Sequence, residues 1–180
     1  MKTFVITGPS SSGKSTLIEF LQNKGFYVVP EIARSVLEEG VFHPSRDPYL
    51  FQKEIAKRQA TAEEKMKSLD IPIAFLDRGF HDQIAYCKHS GITEFPPEIQ
   101  IHSEYTGVFN LEMLNKFESD GIRIEKGGEE ARQIHKVALD EYKKCGIPVI
   151  SIPAISVSDR AKLIIEYSLK LPSSAVSDIL

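Results

Sequence analysis

Hydrophobic positions along the chain fall into short unbroken runs separated by longer stretches with a three- and four-residue rhythm. Phe4-Val5-Ile6 is wholly apolar, which suits a central strand covered on both faces. Leu17, Ile18 and Leu21 then recur at helical spacing, and Gly25 supplies a helix stop. Residues 26–29 predict a second strand ended by Pro30, with Ile32, Val36 and Leu37 on a short helix after it. The stretch 40–48 is turn-rich. Phe51, Ile55, Ala62, Met66 and Leu69 predict one long amphipathic helix. Residues 71–76 read as a third strand, with Pro72 at its entry, where a missing donor costs little. Residues 108–111 and 147–152 predict strands four and five, with a helix carrying Ile134, Val137 and Tyr142 between them. A last helix, 158–170, uses Leu163, Ile164 and Tyr167. The tail 173–180 is polar and is expected to be loose.

Short strands alternating with helices predict an α/β fold built on a parallel sheet. No internal repeat or linker divides the chain, so residues 1–172 are expected to form one domain. A 180-residue chain that is 42% hydrophobic and 26% charged can bury a real core, which excludes disorder, collagen and coiled coil for its bulk. A net charge of −3 argues against an extended nucleic-acid surface and leaves room for a local anion site. Cys87 and Cys145 have neither CxxC nor CxxH spacing, so a structural zinc site is not expected and the thiols read as reduced. There is no signal-like start, and no apolar run approaches the roughly 18–20 residues that cross a bilayer. The expected location is the cytoplasm.

The chemistry-bearing stretch is Gly8-Pro9-Ser10-Ser11-Ser12-Gly13-Lys14-Ser15-Thr16, a full match to GxxxxGK[ST] between a strand and a helix. Gly8 and Gly13 let backbone approach an anion with no Cβ in the way. The amides of Ser11, Ser12 and their neighbours then point inward, and the helix that begins at Lys14, Ser15 and Thr16 adds the positive end of its dipole. Lys14 offers a mobile cation for β- and γ-phosphates, and Ser15 a hydroxyl ligand for Mg²⁺.

Further residues gather around that motif. Asp77 ends the third apolar strand in the manner of a Walker B carboxylate; it either holds Mg²⁺ with Ser15 or caps a following helix. Arg78 comes next, as a phosphate contact or as a surface ion pair. Glu31 stands at the end of the second strand, placed to take a proton from a substrate hydroxyl, with Arg34 one turn on. The alternative for that pair is an exposed i,i+3 salt bridge. The glycine-punctuated segment 118–128 suits a lid, with Arg123 and also Arg132 neutralising phosphoryl charge; a plain surface loop is the other reading. Asn115-Lys116-Phe117-Glu118 departs from NKxD at its last residue, and Phe80 interrupts a DxxG spacing, so a switch GTPase is disfavoured. His43, His81, His89, His102 and His135 lack metal-ligand spacing and are expected at the surface or as caps.

With these residues in place, the chain resembles the P-loop ATPase/kinase family that includes the ribosylnicotinamide kinase domain of NadR. The same family holds a eukaryotic protein named for a defect in TRP-channel translocation (NadR/Ttd-like AAA domain). The carriers are the loop 8–16, Glu31-Ile32-Ala33-Arg34, Phe75-Leu76-Asp77 and Asp120-Gly121-Ile122-Arg123, with residues 142–148 and Ser158-Asp159-Arg160 in support. The resemblance implies a P-loop NTPase fold: three layers, α/β/α, a five-stranded parallel sheet in the order 2-3-1-4-5, and a small lid. It implies ATP and Mg²⁺ as cofactors through Lys14, Ser15 and Asp77, with GTP as an alternative nucleotide, and adenine against residues 151–157. Asp77-Arg78-Gly79 departs from the NadR kinase pattern and looks more like the DR motif of thymidylate kinases, which leaves the acceptor open.

The leading expectation is a small-molecule kinase that phosphorylates a nucleoside-like hydroxyl. The alternative is a nucleotide-gated module, with weak NTPase activity, that reads a membrane lipid or a protein partner. The charge pattern of 53–67, with lysines offset by glutamates, speaks against a membrane surface. A mechanical AAA ATPase is disfavoured because 180 residues leave no room for its helical lid domain.

Overall fold

A computed structural model describes residues 1–99, 104–114 and 127–172. Five strands form one parallel sheet: β1 (Lys2–Thr7), β2 (Tyr27–Val29), β3 (Ile73–Asp77), β4 (Gly107–Leu111) and β5 (Val149–Ile152). Their spatial order is β2-β3-β1-β4-β5, with parallel pairing at every step. The helices are α1 (Lys14–Asn23), α2 (Ile32–Glu39), α3 (Pro48–Lys67), α4 (Phe80–His89), α5 (Gly128–Lys144) and α6 (Val157–Lys170). This is the expected α/β architecture, strand order included.

Alternation along the strands sorts the core into two sides. Phe4, Ile6, Phe75 and Phe109 pack with Leu17, Ile18 and Leu21 of α1 and Ile164 of α6. Val5, Leu76 and Val108 face the other way, onto Ala56 and Met66 of α3, Phe80 and Ile84 of α4, and Tyr142 of α5. Two apolar faces explain why β1 and β3 are apolar without interruption. α2 seals against α3 through Val36, Phe51 and Ile55.

Three elements differ from the sequence reading. α4 follows β3 directly, where the periodicity reading has no core helix. β3 begins at Ile73, two residues after the predicted start, because Pro72 lends its carbonyl to Lys2 N–H while having no N–H of its own. On α6 the buried side is Ala161, Ile164 and Ser168, while Tyr167 is exposed. The tail 173–180 and the core of the anticipated lid lie outside the described residues. No described helix is long and apolar enough to cross a membrane.

Candidate functional site

The parallel register aligns the C-terminal ends of the inner strands: Ile6 pairs with Asp77, and Thr7 with Asn110. The loops after β1 and β3 therefore open at one sheet edge, where ligands of open α/β sheets gather. The first of these loops bends through left-handed backbone at Ser11 (φ 65°) and Gly13 (φ 80°), so successive amides line a concave turn. Gly8 is required for space. A Cβ there would stand 2.7 Å from Ser12 Oγ and 2.9 Å from the main-chain oxygen of Leu111, which cannot swing aside. Gly13 begins α1 without a side-chain cap among the described residues, leaving the first-turn N–H groups and the positive helix end to an anion.

Lys14 is buried and donates from Nζ to the Gly8 carbonyl at 3.2 Å. Burial, then the charge of Arg78, lowers its pKa, against the carboxylates of Asp77, Glu31 and Asp82. Asp77 closes β3, and its buried Oδ1 accepts no hydrogen bond among the described residues. Burial first, and the negative charge of Glu31 second, push its carboxyl up to about 7, against the pull of Lys14 and Arg78.

Arg78 leaves the strand at φ 71°, a left-handed conformation that costs a non-glycine residue about 1–2 kcal/mol. The partners of its side chain account for its persistence. Nε donates to Glu31 Oε1 at 3.1 Å, Nη1 approaches Asp82 Oδ1 at 3.5 Å, and the guanidinium stacks 5.3 Å from the Tyr86 ring centroid. Asp82 is itself fixed: it accepts from Thr7 Oγ1, from Tyr142 OH at 2.6 Å and from Gly79 N–H at 3.1 Å. Burial works to raise its pKa, but Arg78 and these three donors outweigh it and hold the carboxyl below its usual range. Gly79 fits beneath two phenols; a Cβ would meet Tyr105 OH and Tyr142 OH, both at 2.9 Å.

A cavity of about 430 Å³ joins these parts. One wall is the loop at Ser11, Ser12, Gly13, Lys14, Ser15 and Thr16, with Asp77 beside it. Glu31, Arg34 and Arg78 line it as well, as do Gln52 and Gln59 of α3 and Gln83 of α4. Gly8 enters through its carbonyl, held by Lys14. Arg132 does not line this cavity; it is exposed on α5 and pairs with Glu129 at 3.2 Å. Arg123 and residues 115–126 lie outside the described residues, as does His102.

Two histidines depart from the surface role expected of them. His81 is fully buried, its ring 4.4 Å from that of Tyr142 and 5.9 Å from that of Tyr105. His135 is partly buried, with Nε2 2.7 Å from Asn110 Oδ1, and burial lowers its pKa to about 4.

Several residues of the site are not marked in the sequence. Thr7, Asp82, Gln52, Gln59, Gln83 and Tyr142 owe their roles to neighbours distant along the chain. A signal for α4 was available in Phe80, Ile84 and Cys87, spaced by four and three and all buried. Arg160 is buried on α6 and spends its guanidinium on main-chain oxygens: Ser12, Pro153 (2.9 Å) and Glu112 (3.3 Å). It thereby ties the loop after β1 to the segment after β4 and to the β5–α6 connection.

Comparison with known proteins agrees with this architecture. One similar solved structure is a deoxyadenosine kinase from M. mycoides with products dCMP and a flexible dCDP bound. It is 16% identical with a TM-score of 0.66, over 94% of this chain and 100% of that one. The structure of that kinase with bound dATP is 14% identical with a TM-score of 0.62, over 92% of this chain and 98% of that one. At these identities the likeness is one of fold. No curated protein matches the chain. A family described as an AAA domain matches residues 3–160, from the first buried strand to the arginine that clamps the loop, and the chain belongs to that family.

Proposed function

We propose that this protein is a cytoplasmic small-molecule kinase that transfers the γ-phosphoryl group of ATP to a hydroxyl of a nucleoside-like acceptor. One observation carries the reading: a single cavity is lined both by the loop from Ser10 to Thr16 with Asp77 and by the Glu31–Arg78 ion pair. Phosphoryl transfer needs a polyphosphate cradle and a positioned base within one site.

In this reading the backbone amides from Gly8 to Thr16 hold the phosphates, and Lys14 spans the β- and γ-groups. Glu31 receives the proton of the acceptor hydroxyl as its oxygen bonds to the γ-phosphorus and the bridging oxygen leaves with ADP. Arg78 keeps Glu31 in place and offers positive charge to the transferring oxygens, Arg34 contributes at the acceptor side, and Arg123 acts from the lid. Asp77 and Ser15 fit Mg²⁺. A buried carboxylate oxygen without a donor, on an acid held near neutrality by burial, is a group that a divalent cation would restore to its charged form. Mg²⁺ bound there would neutralise phosphate charge, and it ordinarily needs only one or two protein carboxylates besides the phosphates.

The burial of Gln52 and Gln83 in the wall of the cavity supports this over a nucleotide-gated lipid or protein module, which calls for an accessible recognition surface. The test is ADP formation from Mg·ATP across a nucleoside panel that includes nicotinamide riboside, with GTP as a second donor. Acceptor-dependent ADP is expected. Its absence for every acceptor, together with nucleotide-dependent flotation on liposomes, would replace the kinase by the module.

A further inference from the structure

The Arg78 guanidinium stands between two carboxylates that are not equivalent. The Glu31 side chain, just before α2, is 28% exposed, whereas that of Asp82, in the first turn of α4, is 2% exposed. The contacts of Asp82 divide between its two oxygens. Oδ1 accepts from Thr7 Oγ1 and faces Arg78 Nη1 at 3.5 Å, while Oδ2 accepts from Tyr142 OH at 2.6 Å and from Gly79 N–H at 3.1 Å. Three of these partners are fixed parts of the fold: Thr7 ends β1 directly before the Gly8 loop, Gly79 caps α4, and Tyr142 is fully buried on α5. Asp82 is thereby held in one place. Arg78, leaving β3 at φ 71°, takes its position from Asp82, and Glu31 comes last, met at Oε1 by Arg78 Nε at 3.1 Å.

We infer that Asp82 is a positioning residue for phosphoryl transfer: acting through Arg78, it sets where Glu31 presents its carboxylate to the acceptor hydroxyl. This deepens the kinase reading above and rests on it. The role needs a carboxylate, and an amide of the same shape does not serve. In an Asp82→Asn variant the remaining carbonyl oxygen still accepts from Tyr142 and Gly79 on the Oδ2 side. The –NH₂ on the Oδ1 side can donate to Thr7, whose hydroxyl turns to accept. Arg78 has no such remedy, because a guanidinium carries donors only. The substitution therefore removes the buried ion pair and leaves the start of α4 its cap.

The test measures ADP release with the nucleoside that wild type phosphorylates fastest, for Asp82→Asn alone and combined with Arg78→Lys. A misplaced reacting group costs about 10²-fold, so kcat is expected to fall about 10–100-fold, with KM for Mg·ATP within about threefold of wild type. In the Arg78→Lys background the same substitution is expected to lower kcat by no more than about threefold, since the residue it acts through is already compromised. Tyr142→Phe removes one donor from Oδ2 and leaves the carboxylate charged. It is expected to lower kcat about 3–10-fold at unchanged KM for Mg·ATP, and it decides the matter if Asp82→Asn does not fold. Three results overturn the inference: a kcat near that of wild type, a loss carried by KM for Mg·ATP instead of kcat, or losses that multiply in full with Arg78→Lys. A wild type without acceptor-dependent ADP would sink the kinase reading itself, whereas an active wild type with any of those three results sinks this inference alone.

Discussion

Arg78 reaches Glu31 across 3.1 Å from a backbone that stands at φ 71°. Both ends of this contact line the cavity, and its arginine is anchored by Asp82 of α4. A strained residue held by several partners at a sheet edge is a common feature of working sites. The pair thus joins the loop after β3 to the start of α2, which are 47 positions apart in the chain.

If Glu31 is the proton acceptor, Glu31→Gln keeps its shape and removes its basicity. The expected result is a kcat lower by about 10²–10⁴-fold, with affinity for an ATP analogue changed little. Arg78→Lys is not a mild change, since an ammonium cannot serve Glu31, Asp82 and the Tyr86 face at once. It is expected to lower kcat by at least tenfold. Steady-state kinetics with any accepted nucleoside decides; a normal kcat in the Glu31→Gln variant would remove Glu31 from the chemistry.

Backbone strain at Arg78 predicts that stability and activity separate. Arg78→Gly and Arg78→Ala both lose the guanidinium contacts, but only glycine adopts φ 71° without penalty. The glycine variant should be the more stable by about 1 kcal/mol, or roughly 2–4 °C in Tm for a chain of this size. Both should be inactive. Equal melting temperatures would mean that the left-handed backbone carries no cost.

The order of elements was legible because each strand of this sheet is a short apolar run and each helix outside α4 carries its own periodicity. The loop from Gly8 to Thr16 was legible because its chemistry is contained in nine consecutive residues. Asp82 and Gln83 were not, since a buried Asp or Gln leaves no periodic mark; their meaning comes from Thr7, Tyr142 and Gln52, which the fold brings to them. His81 and His135 were misjudged for the same reason. A polar residue in sequence gives no sign of the aromatic or amide neighbour that will bury it, and Arg132, in an acidic first turn, was free to pair locally with Glu129.

The pKa of His135 gives a pH dependence of definite sign. Burial holds it at about 4 in the fold, against 6.5 when unfolded. Its contribution to stability is therefore complete above pH 6.5 and is lost as pH falls through 4, because the unfolded chain takes the proton first. Asp77, raised to about 7, works oppositely: its contribution is complete below pH 3.8 and is lost as pH rises through 7. Wild type alone would mix the two. The difference between wild type and His135→Gln in urea unfolding isolates the histidine, and the advantage of wild type is expected to shrink between about pH 7 and about pH 4.5. A difference that stays constant over that range would contradict the assignment.

Arg160 offers a test of whether the cradle depends on support from behind. Its guanidinium is buried and donates to the carbonyls of Ser12, Pro153 and Glu112, so its removal leaves three main-chain acceptors without that donor. At about 1 kcal/mol for each such bond, Arg160→Ala should destabilise the protein by about 2–3 kcal/mol. The sharper consequence is local. Ser12 lies inside the loop, and Gly13, which follows it, would bring a Cβ within 3.5 Å of Arg160 Nη1, so the guanidinium backs the turn that sets the amide directions. Arg160→Lys, with one donor head in place of a fork, should recover part of the stability and less of the nucleotide affinity. Measured together, urea unfolding and calorimetry with Mg·ATP should show affinity lost in excess of what the fall in stability explains. If Arg160→Ala binds nucleotide like wild type at a temperature where it remains folded, the loop keeps its shape without this clamp, and preorganisation must come from Gly8 and Gly13 alone.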